Sequence, residues 1–212
     1  ALIILIFFTI YLSSGFVASG KLFESMLGIE YHIAVLIGAG IILFYTSLGG
    51  FFAVSVTDVV QGSLMFIAII VVPIVSMQHI GSFNTITHAM QKASLPINPF
   101  TSITLLSVVS TASWGLGYFG QPHILARFMG IHSHHDIKSA RQIAMTWVTI
   151  SLCGASFIGI AAVYLFPELS QHNAEKVFIF MIQKFFTPWI GGILLAAILS
   201  AIMSTADSQL LV

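Results

Sequence analysis

The chain has 212 residues, 58% of them hydrophobic and 7% charged, with a formal net charge of zero. A soluble domain carries roughly 25% charged residues, so this composition, with a mean hydropathy of +1.02, excludes an ordinary water-soluble fold and marks a polytopic membrane protein. No basic tract gives an electrostatic reason for a nucleic-acid partner, and the lone Cys153 excludes both a disulfide framework and Cys-based zinc spacing.

Charge-free apolar runs at 1–19, 31–57, 59–78, 100–126, 142–166 and 185–206 are each near or above the ~20 residues that cross a bilayer as helix. They predict six transmembrane helices in one transmembrane domain over residues 1–212. The first run lacks a basic n-region and an initiator Met, so it reads as a transmembrane helix and not a signal peptide. Together with a last run that meets no Gly or Pro stop, this makes the chain an expected excerpt of a longer protein.

Tyr11 interrupts the first run beside Thr9, Ser13 and Ser14, a polar stripe that by itself is more often helix–helix hydrogen bonding than a ligand contact. Asp58 comes after Gly49, Gly50 and Thr57, between the second and third runs. Its simplest place is a solvated turn or the N-terminal end of a helix, with a part in an ion pathway as the alternative. Residues 84–92 suit a short helix outside the membrane, and Pro96 and Pro99 make the rest of that loop irregular.

The fourth run contains Trp114-Gly115-Leu116-Gly117-Tyr118-Phe119-Gly120-Gln121-Pro122, a concentration of helix breakers at membrane depth. Backbone groups freed there need partners, and non-helical backbone survives only where protein buries it or it lines a cavity. A Gly/Pro-interrupted apolar segment is accordingly the best sequence pointer to a transporter's solute site.

His132, His134 and His135 form the one dense histidine group. A di-iron membrane enzyme would use such a box, but Ser133 to Asp136 fits a capping-box-like start for the helix containing Ile137, Ala140 and Ala144, and that reading is preferred. After Asn173, residues Val177, Phe178, Met181, Ile182 and Phe185 recur at helical spacing between Glu175, Lys176, Gln183 and Lys184, predicting an amphipathic helix that leads through Pro188 into the last span.

In that span Ala197, Ala201, Ser204 and Ser208 make a stripe of small and hydroxyl side chains with Thr205 beside it. Close helix packing accounts for such a stripe. So does a Na⁺ site, because a hard cation wants oxygen ligands, and hydroxyls with freed carbonyls supply them without burying full charges. Asp207 is an intramembrane acid if the helix extends that far, and a solvated residue if the membrane ends first. Lys and Arg counts on the two sides do not orient the chain, but Arg127 and Arg141 flank short loop near membrane ends, which assigns that side to the cytoplasm.

The segment from Trp114 to Phe128 resembles the bacterial sodium/solute symporter family. So, in order along the chain, do Phe7 to Tyr11 with Ser14-Gly15, Tyr45-Thr46 with Gly49-Gly50, Thr57-Asp58, Asn173 to Glu175, and Met203 to Leu211. The resemblance implies part of an inverted-repeat fold of the leucine-transporter type, these spans being core helices three to eight and the first two and last two lying elsewhere in the protein. It implies a secondary active transporter of the bacterial plasma (inner) membrane that couples Na⁺ entry to solute uptake by alternating access, with no catalytic residues. It places Na⁺ at Ala201, Ser204 and Thr205, Ala201 through its carbonyl. It matches Tyr11, Trp114, Tyr118 and Pro122 to the family's proline positions, where aromatic faces suit a compact ring with a secondary ammonium and freed N–H groups over Gly115 to Gly120 suit its carboxylate. L-proline is the implied solute, with pantothenate, a sugar or another amino acid as alternatives. The implied partners are the lipid bilayer, the solute and the transporter's remaining helices.

Overall fold

Residues 2–98, 103–169 and 171–212 are described by a computed structural model, apart from the side chains of Trp114, Phe119, Gln171 and His172. Every regular element among them is helical: α1 (Leu2–Leu27), α2 (Tyr31–Ile80), α3 (Phe83–Lys92), α4 (Leu105–Gly117), α5 (Pro122–Met129), α6 (Asp136–Leu165), α7 (Val177–Phe185) and α8 (Pro188–Leu210), with 3₁₀ turns at Tyr118–Gly120 and Gln171–Lys176. Helix is what an apolar chain must form in lipid, because only there does each backbone group find its partner within the segment. Among the described residues α1, α2, α6 and α8 are long and apolar enough to cross a membrane.

Two predicted boundaries move. The first helix does not end at Ser19 but continues through Lys21 and Glu24 to Leu27, because charges reaching the interface do not stop a helix. The second and third runs join in α2, whose 50 residues would extend about 75 Å as one rod, far more than a hydrocarbon core of about 30 Å. The interruption is at Gly50, with φ 58° and ψ −165°, a conformation open to glycine. The predicted turn at Asp58 is thus corrected: Asp58 lies inside the helix, eight positions later.

The fourth run also differs from a single span. Residues 100–102 lie outside the described residues, and the rest divides into α4, the 3₁₀ turn and α5. Thr104 and Ser107 form a reciprocal capping box at the start of α4, and Pro122 occupies the first turn of α5, where its missing N–H costs nothing. Gly115 and Gly117 are helical, so the break falls at Tyr118–Gln121 and not across Gly115 to Gly120 as expected. His135 precedes α6 as foreseen, but the capping box there does not form: the Ser133 hydroxyl accepts only from the His135 N–H, at 3.3 Å.

The chain divides into two compact units, residues 1–68 with 192–212, and residues 69–191. In the first, α1 and α2 approach at small residues. A Cβ on Gly38 would collide with Ser19 Oγ, and one on Gly20 with Val35 Cγ2, the close backbone contact by which membrane helices associate when lipid offers no hydrophobic contrast. In the second, α3 and α7 pack on α6. Val177, Ile179, Met181 and Ile182 of α7 are buried while Gln183 and Lys184 stay exposed; Phe178 and Phe185, expected on the buried face, are only partly covered, and Ile179 is buried in addition. Ser76 donates to Met181 Sδ at 3.7 Å, and Lys184 donates to the Leu165 carbonyl at 3.2 Å, closing the end of α6 with a cation.

Candidate functional site

The predicted ion residues fall in the first unit, on the last turns of α8. Thr205 Oγ1 donates to the Ala201 carbonyl at 2.9 Å, and Ser204 Oγ donates to the Asp58 carboxylate. Each hydroxyl spends its one proton on an oxygen and keeps lone pairs free to accept or to ligate. Ser208 Oγ donates to the Ser204 carbonyl at 2.6 Å and lies 3.4 Å from Asp207 Oδ1, while Tyr45 OH donates to Asp207 Oδ2 at 2.5 Å.

Asp207 is 0% exposed, so of its two readings the solvated one does not hold. Its position three residues after Ser204 turns it toward α2 and away from solvent. Asp58 is half-buried and serves α8 directly. The two acids left at the margin by sequence reasoning are therefore held by side chains distant along the chain. Tyr45 was missed as a participant: one aromatic in an apolar run looks like core, and only its hydroxyl tip hints otherwise. Gln209 was missed too. It is 5% exposed, and neither of its amide atoms has a hydrogen-bond partner among the described residues, a rarity for a buried polar group.

The predicted solute residues are less gathered. Tyr11 belongs to the first unit, exposed on α1, and Tyr118 and Pro122 to the second; Trp114's side chain is outside the described residues. Among the described residues the neighbouring hydroxyls of Thr9, Ser13 and Ser14 donate back to the Leu5, Thr9 and Tyr11 carbonyls at 2.7, 2.7 and 2.6 Å and not to another helix. Tyr118 is half-exposed at the end of α4, and its own backbone remains helical at φ −62°, ψ −30°, so the spacing from Trp114 is one helical turn. A separate cavity of about 1030 Å³ in the second unit, between α3, α6 and the segment before α7, includes none of these residues. The His134 and His135 ring centroids lie 3.9 Å apart with the planes tilted by 39°, and no group of three or more His, Cys, Asp or Glu suited to a metal occurs among the described residues.

The hydroxyls of α8 run from the exposed Thr205 through the half-buried Ser204 to the buried Ser208, with Asp58 and Asp207 hydrogen-bonded beside them. A model of the sodium:solute symporter family matches residues 1–212. The chain belongs to this family. It is 46% identical over 213 residues to the sodium/proline symporter of Staphylococcus aureus and to those of the strains JH9 and Newman. These alignments cover 100% of this chain and 42% of each relative, so the chain spans less than half their length. No solved structure matches it. Family membership and the long apolar helices make it a multi-pass membrane protein.

Proposed function

We propose that this chain is the central part of a symporter of the bacterial plasma membrane that couples Na⁺ entry to L-proline uptake by alternating access. The observation that supports the ion half is the pair of hydrogen bonds on the last turns of α8, Thr205 to the Ala201 carbonyl and Ser204 to the Asp58 carboxylate, which offers hydroxyl and carbonyl oxygen with an acid one bond behind Ser204. Na⁺ is a hard ion suited to hydroxyl and carbonyl oxygen. Asp58 and Asp207 then line the route by which the ion reaches or leaves those ligands.

The solute half rests on the relatives named sodium/proline symporters together with Tyr11, Trp114, Tyr118 and Pro122. Aromatic walls favour a small apolar ring and its ammonium. In this reading α2 supplies two spans on either side of Gly50, and α4, the 3₁₀ turn and α5 make one interrupted span. The chain then contributes six crossings, core helices three to eight of a leucine-transporter-type inverted repeat. Entry of one Na⁺ down 100 mV releases roughly 2.3 kcal/mol, enough for about 50-fold accumulation. Labelled proline uptake by the full-length protein in proteoliposomes tests the proposal. Uptake requires an inward Na⁺ gradient and resists competition by pantothenate and sugars; competition by either reassigns the solute, and gradient-independent uptake removes Na⁺.

A further inference from the structure

Tyr45 and Asp58 flank the Gly50 interruption of α2, one before it and one after, and α8 is tied to both. The ties leave α8 from Asp207 and Ser204, three residues apart and so on neighbouring positions of one helical face. Asp207 is fully buried. Its carboxylate takes the Tyr45 hydroxyl at 2.5 Å and has Ser208 Oγ at 3.4 Å, while the shorter bond of Ser208, 2.6 Å, goes to the Ser204 carbonyl.

A buried carboxylate must keep donors or the structure around it moves. Without the Tyr45 hydroxyl, Asp207 would draw Ser208 away from the Ser204 carbonyl, or α8 would turn to bring up another donor. A turn of α8 moves Ser204 relative to Asp58, because Ser204 and Asp207 stand on neighbouring positions of one helical face. We infer that Tyr45 is a positioning residue for the ion site, acting through Asp207 to hold the Ser204 hydroxyl toward Asp58. The inference rests on the proposed reading of α8 as the Na⁺ site, and it adds a residue that itself contacts neither ion nor solute.

The test is Na⁺-dependent proline uptake by the full-length transporter in proteoliposomes. Tyr45→Phe keeps the ring and removes the hydroxyl. It raises the Na⁺ concentration for half-maximal uptake by about five- to tenfold, while the maximal rate and the half-saturating proline concentration at saturating Na⁺ stay within about twofold. Asp207→Ala gives a comparable shift, and the double variant shifts no further than the larger single, because both remove one interaction. Asp207→Asn, whose amide oxygen still accepts from Tyr45, stays nearer wild type than Asp207→Ala, an arm that does not depend on Tyr45→Phe folding. Unmoved Na⁺ dependence in Tyr45→Phe, additive shifts, or a parallel loss of proline affinity and rate overturns the inference and leaves the symport reading intact. A wild-type protein whose uptake ignores Na⁺ overturns both.

Discussion

Replacing Gly154 tests the packing of α6 against the end of α2 within the second unit. A Cβ there would stand 2.6 Å from the Ile69 carbonyl oxygen and 3.0 Å from Ile69 Cγ1, where ordinary contact begins at 3.4 Å. The shortfall of about 0.8 Å falls on backbone, which cannot rotate away, so α6 must separate from α2 in Gly154→Ala. Overpacking of this kind costs about 1–3 kcal/mol. Alanine also gains up to about 1 kcal/mol of helix propensity over glycine, which would mask part of the effect. Gly159, on the same helix with nothing within 4 Å of its Cβ position, supplies the control, because Gly159→Ala carries the propensity gain without the clash. The difference between the two variants isolates the packing cost at about 1–3 kcal/mol. Thermal unfolding of the full-length transporter in detergent, followed by the monodisperse fraction on size exclusion, reads it as a melting temperature several degrees lower for Gly154→Ala than for Gly159→Ala. Equal melting temperatures refute the close approach of α6 to the α2 backbone.

The ion assignment predicts that Ser204→Ala raises the half-maximal Na⁺ concentration for uptake by at least about tenfold, since Asp58 also loses a donor. Thr205→Ala shifts it less, because its proton goes only to the Ala201 carbonyl. Unchanged Na⁺ dependence in both removes them from the site. Tyr118→Ala, losing apolar contact and a cation–π interaction together worth about 1–3 kcal/mol, weakens proline binding at saturating Na⁺ by roughly 5- to 150-fold in protein that still runs as a monodisperse peak; wild-type affinity there excludes it. Replacing His132, His134 and His135 together with Gln leaves uptake intact, and elemental analysis of the purified wild type finds no stoichiometric iron or zinc. Bound metal lost in the triple variant would favour the enzyme reading.

The helices were legible because lipid leaves an apolar chain few alternatives. Their ends were not, since a charge-free window measures hydrocarbon depth and not hydrogen bonding; α1 carries Lys21 and Glu24 within its final turns. The interruption of α2 shows the same limit. Gly49 and Gly50 stood in plain view, yet the charge of Asp58 drew the boundary to itself, because nothing local announces that Ser204 will satisfy it from 146 positions away. The α8 stripe was legible as a choice between packing and ligation. Tyr45 was not, for its role exists only once Asp207, 162 positions later, is beside it.

That arrangement bears on how a carrier of this kind can run empty as well as full. A carboxylate in direct contact with Na⁺ would be left bare and buried when the ion departs, at a cost of several kcal/mol. Here Asp58 stands behind the Ser204 hydroxyl and Asp207 behind that of Tyr45, so each acid keeps a donor with no ion present. In the proposed cycle the ion meets neutral oxygen lone pairs on Ser204, Thr205 and Ala201, while the negative charge acts from one bond further back. Its arrival therefore need not break the Tyr45 or Ser204 hydrogen bonds. Binding and release are left closer in energy than direct coordination by an acid would allow, as a transporter that must do both in every cycle requires.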